Sequence, residues 1–468
     1  MSVKKIVIAG VASGVGKTTV SGAVIYSLKK KGFSVQPFKI GPDFIDVSYH
    51  SLISGRQCRN LDVWMMRAGG VLDSFSESCV DADIAVIEGV MGLFDGVSGR
   101  DDFGSTAHVA RLLDAPIVLV IDAAKSARSI AALAFGFIHF NKLLKFRGII
   151  LNNVAGQRHA TFIKEAFSSK IRIPIIGMIM RNEEIAMGER HLGLIPASEL
   201  DDAKKRSMIR SVKYVADYIN IDKLVAASDQ PSDSASLRRS VNRPPGDLKI
   251  AVALDESFNF YYADNFDALR KQEIDLVFFS PIHDRGLPRD ISGIMLGGGF
   301  PEVMAEPLTR NHSMKNSILK AAEDGVPIYA ECGGLMYLTR SITSPYNRPA
   351  NKADDHSSKM KTHSMVGLFE ADTVMDQKLT LNYTEANCNA SFFNRIGNIH
   401  GHEFHYSKIR DVASDARFAY ALRQGEGIDN EKDGLVAENC LASYMHIHFA
   451  DLRLARRLAD SFVKYNKG

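Results

Sequence analysis

The chain has few cysteines and no spacing that would give them a structural use. Cys58, Cys79, Cys332, Cys388 and Cys440 stand far apart, with no C-x-x-C pair. That argues against a zinc site and a disulfide framework and favours a reducing compartment. No apolar run reaches the roughly 18 residues that a membrane helix needs. Charge bias is also missing: a formal net charge of +3 over 468 residues leaves no overall electrostatic footprint for nucleic acid. Met1-Ser2-Val3-Lys4-Lys5 runs at once into an apolar segment, unlike a signal peptide. A soluble cytoplasmic protein, with neither membrane nor nucleic acid as partner, is expected.

Apolar residues are plentiful, 46% against 24% charged, and the length suits two or three domains with full cores. The first motif is Gly10 to Thr19, GVASGVGKTT, directly after Ile6-Val7-Ile8-Ala9. A buried strand, a glycine-rich turn and then Lys-Thr-Thr heading an amphipathic helix is the local order of a phosphate-binding loop. Gly10, Gly14 and Gly16 let successive N–H groups converge on phosphate oxygens, and the helix N-terminus adds its positive end. Lys17 is expected to reach the β/γ-phosphates, and Thr18, ahead of Thr19, to offer its hydroxyl to Mg²⁺. The strict G-x-x-x-x-G-K-[ST] pattern wants glycine at Val11. Here the glycine comes one residue early, which marks a variant loop.

Further apolar runs end in polar groups, as strands of a parallel sheet do at the edge where ligands bind. Phe33 to Ile40 ends in Lys39-Ile40, with Asp43 and Asp46 just beyond it; these two carboxylates beside a lysine read equally as site residues or as caps of the next helix. Asp83 to Glu88 closes on a carboxylate that suits Mg²⁺ or water, followed by Asp95, which also suits a plain Asp-Gly turn. Ala115 to Asp122, Phe146 to Asn153 and Ile173 to Ile179 continue the series, with a helix expected over Ala127 to Leu144. Asn152 and Asn153 stand where a base-reading group could be, or serve as turn residues. Strands alternating with helices call for a parallel sheet covered on both faces. Residues 226–247, rich in Ser, Asp, Pro and Arg, read as a linker between two similar halves.

The second half restarts at Leu248 to Leu254 and continues with Ile274 to Phe279 and Ile291 to Leu296, the last opening on Gly297-Gly298-Gly299. Val326 to Glu331 then delivers Cys332 into Gly333-Gly334 and an apolar helix. This is a nucleophile-elbow order, in which the helix N-terminus is expected to lower the thiol pKa and the glycine loop to supply N–H groups to an oxyanion. A buried small residue is the alternative for Cys332. Histidines for a base cluster in His400 to His405 and in His446-Ile447-His448. Asn347 to His363 reads as a surface insertion, with His356 and His363 solvated.

Taken together, GVASGVGKTT, FKIGPDFID, RNLD, VIEGVMGLFDG, LGGGFPE, AECGGLMYL, GHEFHYS and ASYMHIHFA, in this order along nearly the whole chain, resemble the cobyrinic acid a,c-diamide synthase family. The resemblance implies an α/β architecture of two doubly wound domains. The first, 1–225, is a P-loop NTPase-type parallel sheet of dethiobiotin-synthetase kind, and the second, 248–468, is a class I glutamine amidotransferase-like domain. It implies ATP and Mg²⁺ as cofactors, with Lys17 and Thr18 binding them, Asp43 and Glu88 completing the metal or phosphate environment, Asp46 and Asp95 near the reacting carboxylate, and Lys39 offsetting phosphate charge. Cys332 would be the glutaminase nucleophile and His446 its base. Glutamine and a tetrapyrrole polycarboxylate would be the substrates, and a homodimer is a compatible assembly. The early glycine matches this family. Class I glutaminases place a glutamate two residues after the histidine, where this chain has His448, so the group that orients His446 is open. Alternatives are the related Ni-sirohydrochlorin a,c-diamide synthase, a P-loop regulatory ATPase, which would need a second lysine early in the loop, and a binding protein with a silent glutaminase half.

Overall fold

The computed structural model describes residues 3–168, 170–182, 201–228, 248–345, 360–388 and 397–466. The chain forms two compact units, Met1–Arg238 and Arg239–Gly468. Most of the expected linker, 229–247, lies outside the described residues, as does His356.

The first unit is a seven-stranded sheet of β1 (Lys4–Gly10), β2 (Val35–Ile40), β3 (Arg59–Leu61), β4 (Ile84–Glu88), β5 (Ile117–Asp122), β6 (Phe146–Val154) and β7 (Ile175–Met180). Their spatial order is β3-β2-β4-β1-β5-β6-β7, and every pairing is parallel. Strands buried on both faces need near-continuous apolar runs, and β1 and β4 supply them: Ile6, Val7, Ile8, Ile84 and Ile87 are fully buried. Between them β1 and its neighbours create the switch point of the sheet, because β2 lies to one side of β1 and β5 to the other. Ligands of open α/β sheets bind at the carboxyl ends of such strands, and there β1 passes into helix α1 (Lys17–Lys30) and β2 into helix α2 (Ile45–Ser54). The three-residue strand β3 was not evident in the sequence; it is too short to show a period.

The second unit has a mixed sheet. Strands β8 (Leu248–Ala253), β9 (Ile274–Phe279), β10 (Gly293–Leu296), β11 (Ile328–Glu331) and β18 (Cys440–Ser443) form a parallel group in the order β9-β8-β10-β11-β18. Beyond β18 the sheet turns antiparallel through β17 (Lys432–Ala437), β16 (Arg417–Gln424) and β14 (Phe369–Cys388). It ends with β12 (Thr339–Pro345) and β13 (Met360–Ser364). The long β15 (Gly397–Arg410) pairs with β14 and reaches the short β19 (His446–Ile447), placing His402 opposite His446. The tail of the expected insertion is thus strand β13, and His363 on it is buried rather than solvated.

Candidate active sites of the two units

In the first unit the loop between β1 and α1 explains its displaced glycine. A Cβ on Gly10 would lie 2.7 Å from Val15 Cγ2 and 2.9 Å from Lys17 Cδ, so position 10 accepts no side chain. Val11 needs no glycine: its backbone is outside the left-handed region and its side chain packs on the core. Gly14 and Gly16 do adopt positive φ, 76° and 92°, which L side chains resist. Asn152 braces the loop by donating to the Val15 carbonyl at 3.0 Å, so it serves the loop's shape. Asn153 donates to Asp122 at 3.1 Å.

Behind the loop lies a cluster of opposite charges centred on Glu88, at the end of β4 and almost wholly buried. Thr18 Oγ1 donates to Glu88 Oε1 at 2.8 Å, Lys39 Nζ donates to the same oxygen at 2.8 Å, and His50 Nε2 hydrogen-bonds Glu88 Oε2. Lys39 also donates to Asp46 Oδ2 at 2.5 Å. Burial alone would raise the Glu88 carboxyl, but Lys39 and His50 outweigh it and hold Glu88 well below the usual carboxylate range. Burial likewise works to discharge Lys39, yet Asp46 and Glu88 keep it firmly protonated. Among the described residues no carboxylate pairs with Lys17. It donates to the Ala12 carbonyl at 2.9 Å, and burial together with Lys39 lowers its pKa.

Asp43 joins the cluster through α2: its Oδ1 accepts from the Asp46 N–H at 2.9 Å, and burial plus the Asp46 charge raise it to about 6. Asp43 therefore acts as a helix-start acceptor while standing within the electrostatic reach of Lys39. Asp95 accepts from Gly92 N at 2.9 Å, the turn chemistry foreseen as its alternative, while its charge is felt by Lys17. Thr19 lies half-buried in the first turn of α1. His50 was missed by the sequence reading, although it follows Asp46 by four residues and so shares its face of α2. Among the described residues no three or more His, Cys, Asp or Glu gather as a metal cage. The adjoining hydroxyl of Thr18 and carboxylate of Glu88 are still hard oxygen donors of the kind Mg²⁺ takes when phosphates and water complete its shell.

In the second unit Cys332 stands between β11 and the helix Gly333–Leu338 with φ 46° and ψ −98°. Positive φ at a non-glycine residue is strained, and such strain gathers at functional sites. Its backbone N–H donates to the Ser443 carbonyl at 2.7 Å, and its thiol faces the Phe404 carbonyl at 3.5 Å. The loop after β10 lies against this elbow: Gly334 N donates to the Gly297 carbonyl at 3.0 Å, and a Cβ on Gly333 would sit 3.0 Å from Gly299 N. One expectation is corrected here. Burial, with Glu302 adding to it, raises the thiol pKa, and the Gly333 N–H opposes them only in part. A helix of six residues has little dipole to offer, so the thiolate needs a base.

His446 is 1% exposed, and its Nδ1 lies 3.4 Å from Glu331 Oε2. His402 stacks on it with centroids 4.8 Å apart and planes 8° from parallel. Burial and the neighbouring His446 hold His402 far below its ordinary pKa. His448 faces elsewhere, with Nε2 3.5 Å from Asp264 and its ring against Tyr262. His405 stacks on Tyr444 and hydrogen-bonds the Ser407 carbonyl at 2.8 Å, a packing role.

Comparison with known proteins follows the same division. Residues 6–195 match the family described as CobQ/CobB/MinD/ParA nucleotide binding domain, and residues 249–453 match the CobB/CobQ-like glutamine amidotransferase domain. A cobyrinate a,c-diamide synthase of Methanosarcina acetivorans is 40% identical over 99% of this chain and 96% of its own length. One of Synechococcus is 40% identical over 95% of each. Among solved structures, PurLQS from Thermotoga maritima is similar at TM-score 0.35 and 15% identity, covering 47% of this chain and all of that one. With both halves matched in order and relatives aligned from end to end, the chain belongs to the cobyrinate a,c-diamide synthase family.

Proposed function

We propose that the protein converts the a and c side-chain carboxylates of cobyrinate to amides, using ATP and glutamine. The observation that carries this reading is the presence, in one chain, of a phosphate loop backed by the Thr18–Glu88–Lys39 cluster and of a strained cysteine elbow, over the full length of relatives named for that reaction. The ligase step is assigned to 1–225 and the glutaminase step to 248–468, joined by 226–247.

A free carboxylate is too poor an electrophile for ammonia, so the substrate carboxylate first accepts the γ-phosphoryl group, leaving ADP. The transferred charge is met by Lys17 from the loop and by Lys39 across the cluster. Mg²⁺, held by Thr18 with Glu88, Asp43 and phosphate oxygens, would supply charge neutralisation at that step. Ammonia then adds to the acyl carbon and phosphate departs. Asp46, paired with Lys39, and Asp95 are assigned to the neighbourhood of the reacting carboxylate. In the other unit Cys332 attacks the carboxamide of glutamine, the Gly297-Gly298-Gly299 loop steadies the oxyanion, and His446 carries the proton to the departing ammonia.

The test is an assay with ATP and glutamine on cobyrinate and on Ni-sirohydrochlorin side by side, followed by product mass. Two successive amidations of cobyrinate are expected. Turnover of Ni-sirohydrochlorin alone would move the substrate assignment to the other macrocycle.

A further inference from the structure

His446 is fixed on three sides. Gly298 lies against one edge, where a Cβ would meet His446 Cε1 at 2.4 Å, His402 covers a ring face, and Glu331 stands at Nδ1. Glu331 is 3% exposed at the end of β11, immediately before Cys332. Its two carboxylate oxygens are differently used. Oε1 accepts from the Tyr329 hydroxyl at 2.6 Å and from the Ile447 N–H at 3.0 Å. That pair of donors sets the carboxylate plane and leaves Oε2 turned to the imidazole. The Ile447 N–H belongs to the residue after His446, so one carboxylate holds the backbone beside the imidazole and stands 3.4 Å from its Nδ1. Parallel pairing of β11 with β18, with Glu331 beside Ser443, fixes the register that makes this possible. Position 448, two residues after the base, is committed to Asp264 and Tyr262 instead.

We propose that Glu331 is the positioning carboxylate of the glutaminase, holding the Nδ1–H of His446 in place of the glutamate that related glutaminases carry two residues after the histidine. The proposal rests on the glutaminase reading of this unit. Glu331 keeps the tautomer in which Nε2 is the free base. The thiol proton passes from Cys332 Sγ to that Nε2 as the sulfur forms a bond to the carboxamide carbon. When the carbon–nitrogen bond breaks, the proton goes to the leaving nitrogen and ammonia departs. Water then cleaves the thioester, giving glutamate and the thiol. Glu331 stands against the imidazolium between these steps, as the aspartate of a Ser-His-Asp triad does.

The experiment compares Glu331→Gln, Glu331→Asp and Cys332→Ser in glutamate release and in amidation driven by glutamine or by ammonium chloride. In E331Q the glutaminase kcat is expected to fall roughly 10²- to 10⁴-fold with KM for glutamine little changed. E331D, which keeps the carboxylate, is expected to be intermediate, a partial rescue that a merely structural role would not give. Ammonia-driven amidation is expected at wild-type rates, which also shows that the variant folds. A glutaminase kcat in E331Q within about threefold of wild type would overturn the proposal, provided C332S abolishes glutamate release. Survival of that release in C332S would instead overturn the glutaminase reading on which it rests.

Discussion

A carboxylate as deeply buried as Glu88 would ordinarily give up its charge, and burial does push it that way. Lys39 and His50 reverse the balance, so the first unit keeps an ionised carboxylate, to which the Thr18 hydroxyl also donates, beside the loop of Gly10 to Thr19. Because the folded value lies below the ordinary 4.5, the unfolded chain binds the proton first as pH falls. The stabilisation is therefore complete above about pH 4.5 and is lost as pH drops through the depressed value. Glu88→Gln should cost about 3 kcal/mol at pH 7, since it strands two buried partners, and its stability should fall less steeply than wild type below pH 4.5. Urea melts at pH 3.5 and 7 check both. Equal stability at pH 7 would contradict the network. At this scale the sequence was informative where a motif names its residue, as with Lys17, Thr18 and Cys332. It was silent on His50 and Glu331, whose meaning comes from partners 38 and 115 residues away. A buried acid at the end of an apolar strand, and a histidine four residues after an acid on one helix, were the faint signals available.

The elements of the elbow trade helix propensity for proximity. Gly333 and Gly334 open their helix although each is worth about 1 kcal/mol less than alanine there. The reason is the floor beneath them: a Cβ on Gly334 would lie 2.4 Å from the Leu296 carbonyl oxygen and 2.8 Å from Leu296 Cβ. Backbone cannot yield as a flexible side chain can. Gly334→Ala should therefore destabilise the second unit by about 1–3 kcal/mol and lower glutaminase activity, read by thermal unfolding and glutamate release. An unchanged melting temperature with full activity would show that helix and β10 are not in this contact. Strands that carry long apolar runs, such as β1, β4 and β8, were legible from sequence within a few residues. The antiparallel portion of the second sheet was not, because β14 to β17 mix buried, half-buried and exposed residues without a period of two sustained along their whole length.

For the molecule as a whole, the two compact units would, on the proposed function, divide one reaction into the release of ammonia and the activation of a carboxylate. The chemical requirement joins them: ammonia is useful only if the carboxylate has been made electrophilic, and ATP is consumed to no end without an amine. The order of eight motifs along the chain carried this reading better than any single motif, since each alone also fits a regulatory ATPase or an inert cysteine turn. The account stands on carboxylate activation at the loop of Gly10 to Thr19. Its most direct test is turnover with substrate labelled by ¹⁸O in the reacting carboxylates. Acyl-phosphate formation predicts one labelled oxygen in the inorganic phosphate for each amide formed. Phosphate free of label, with amide still accumulating, would contradict it.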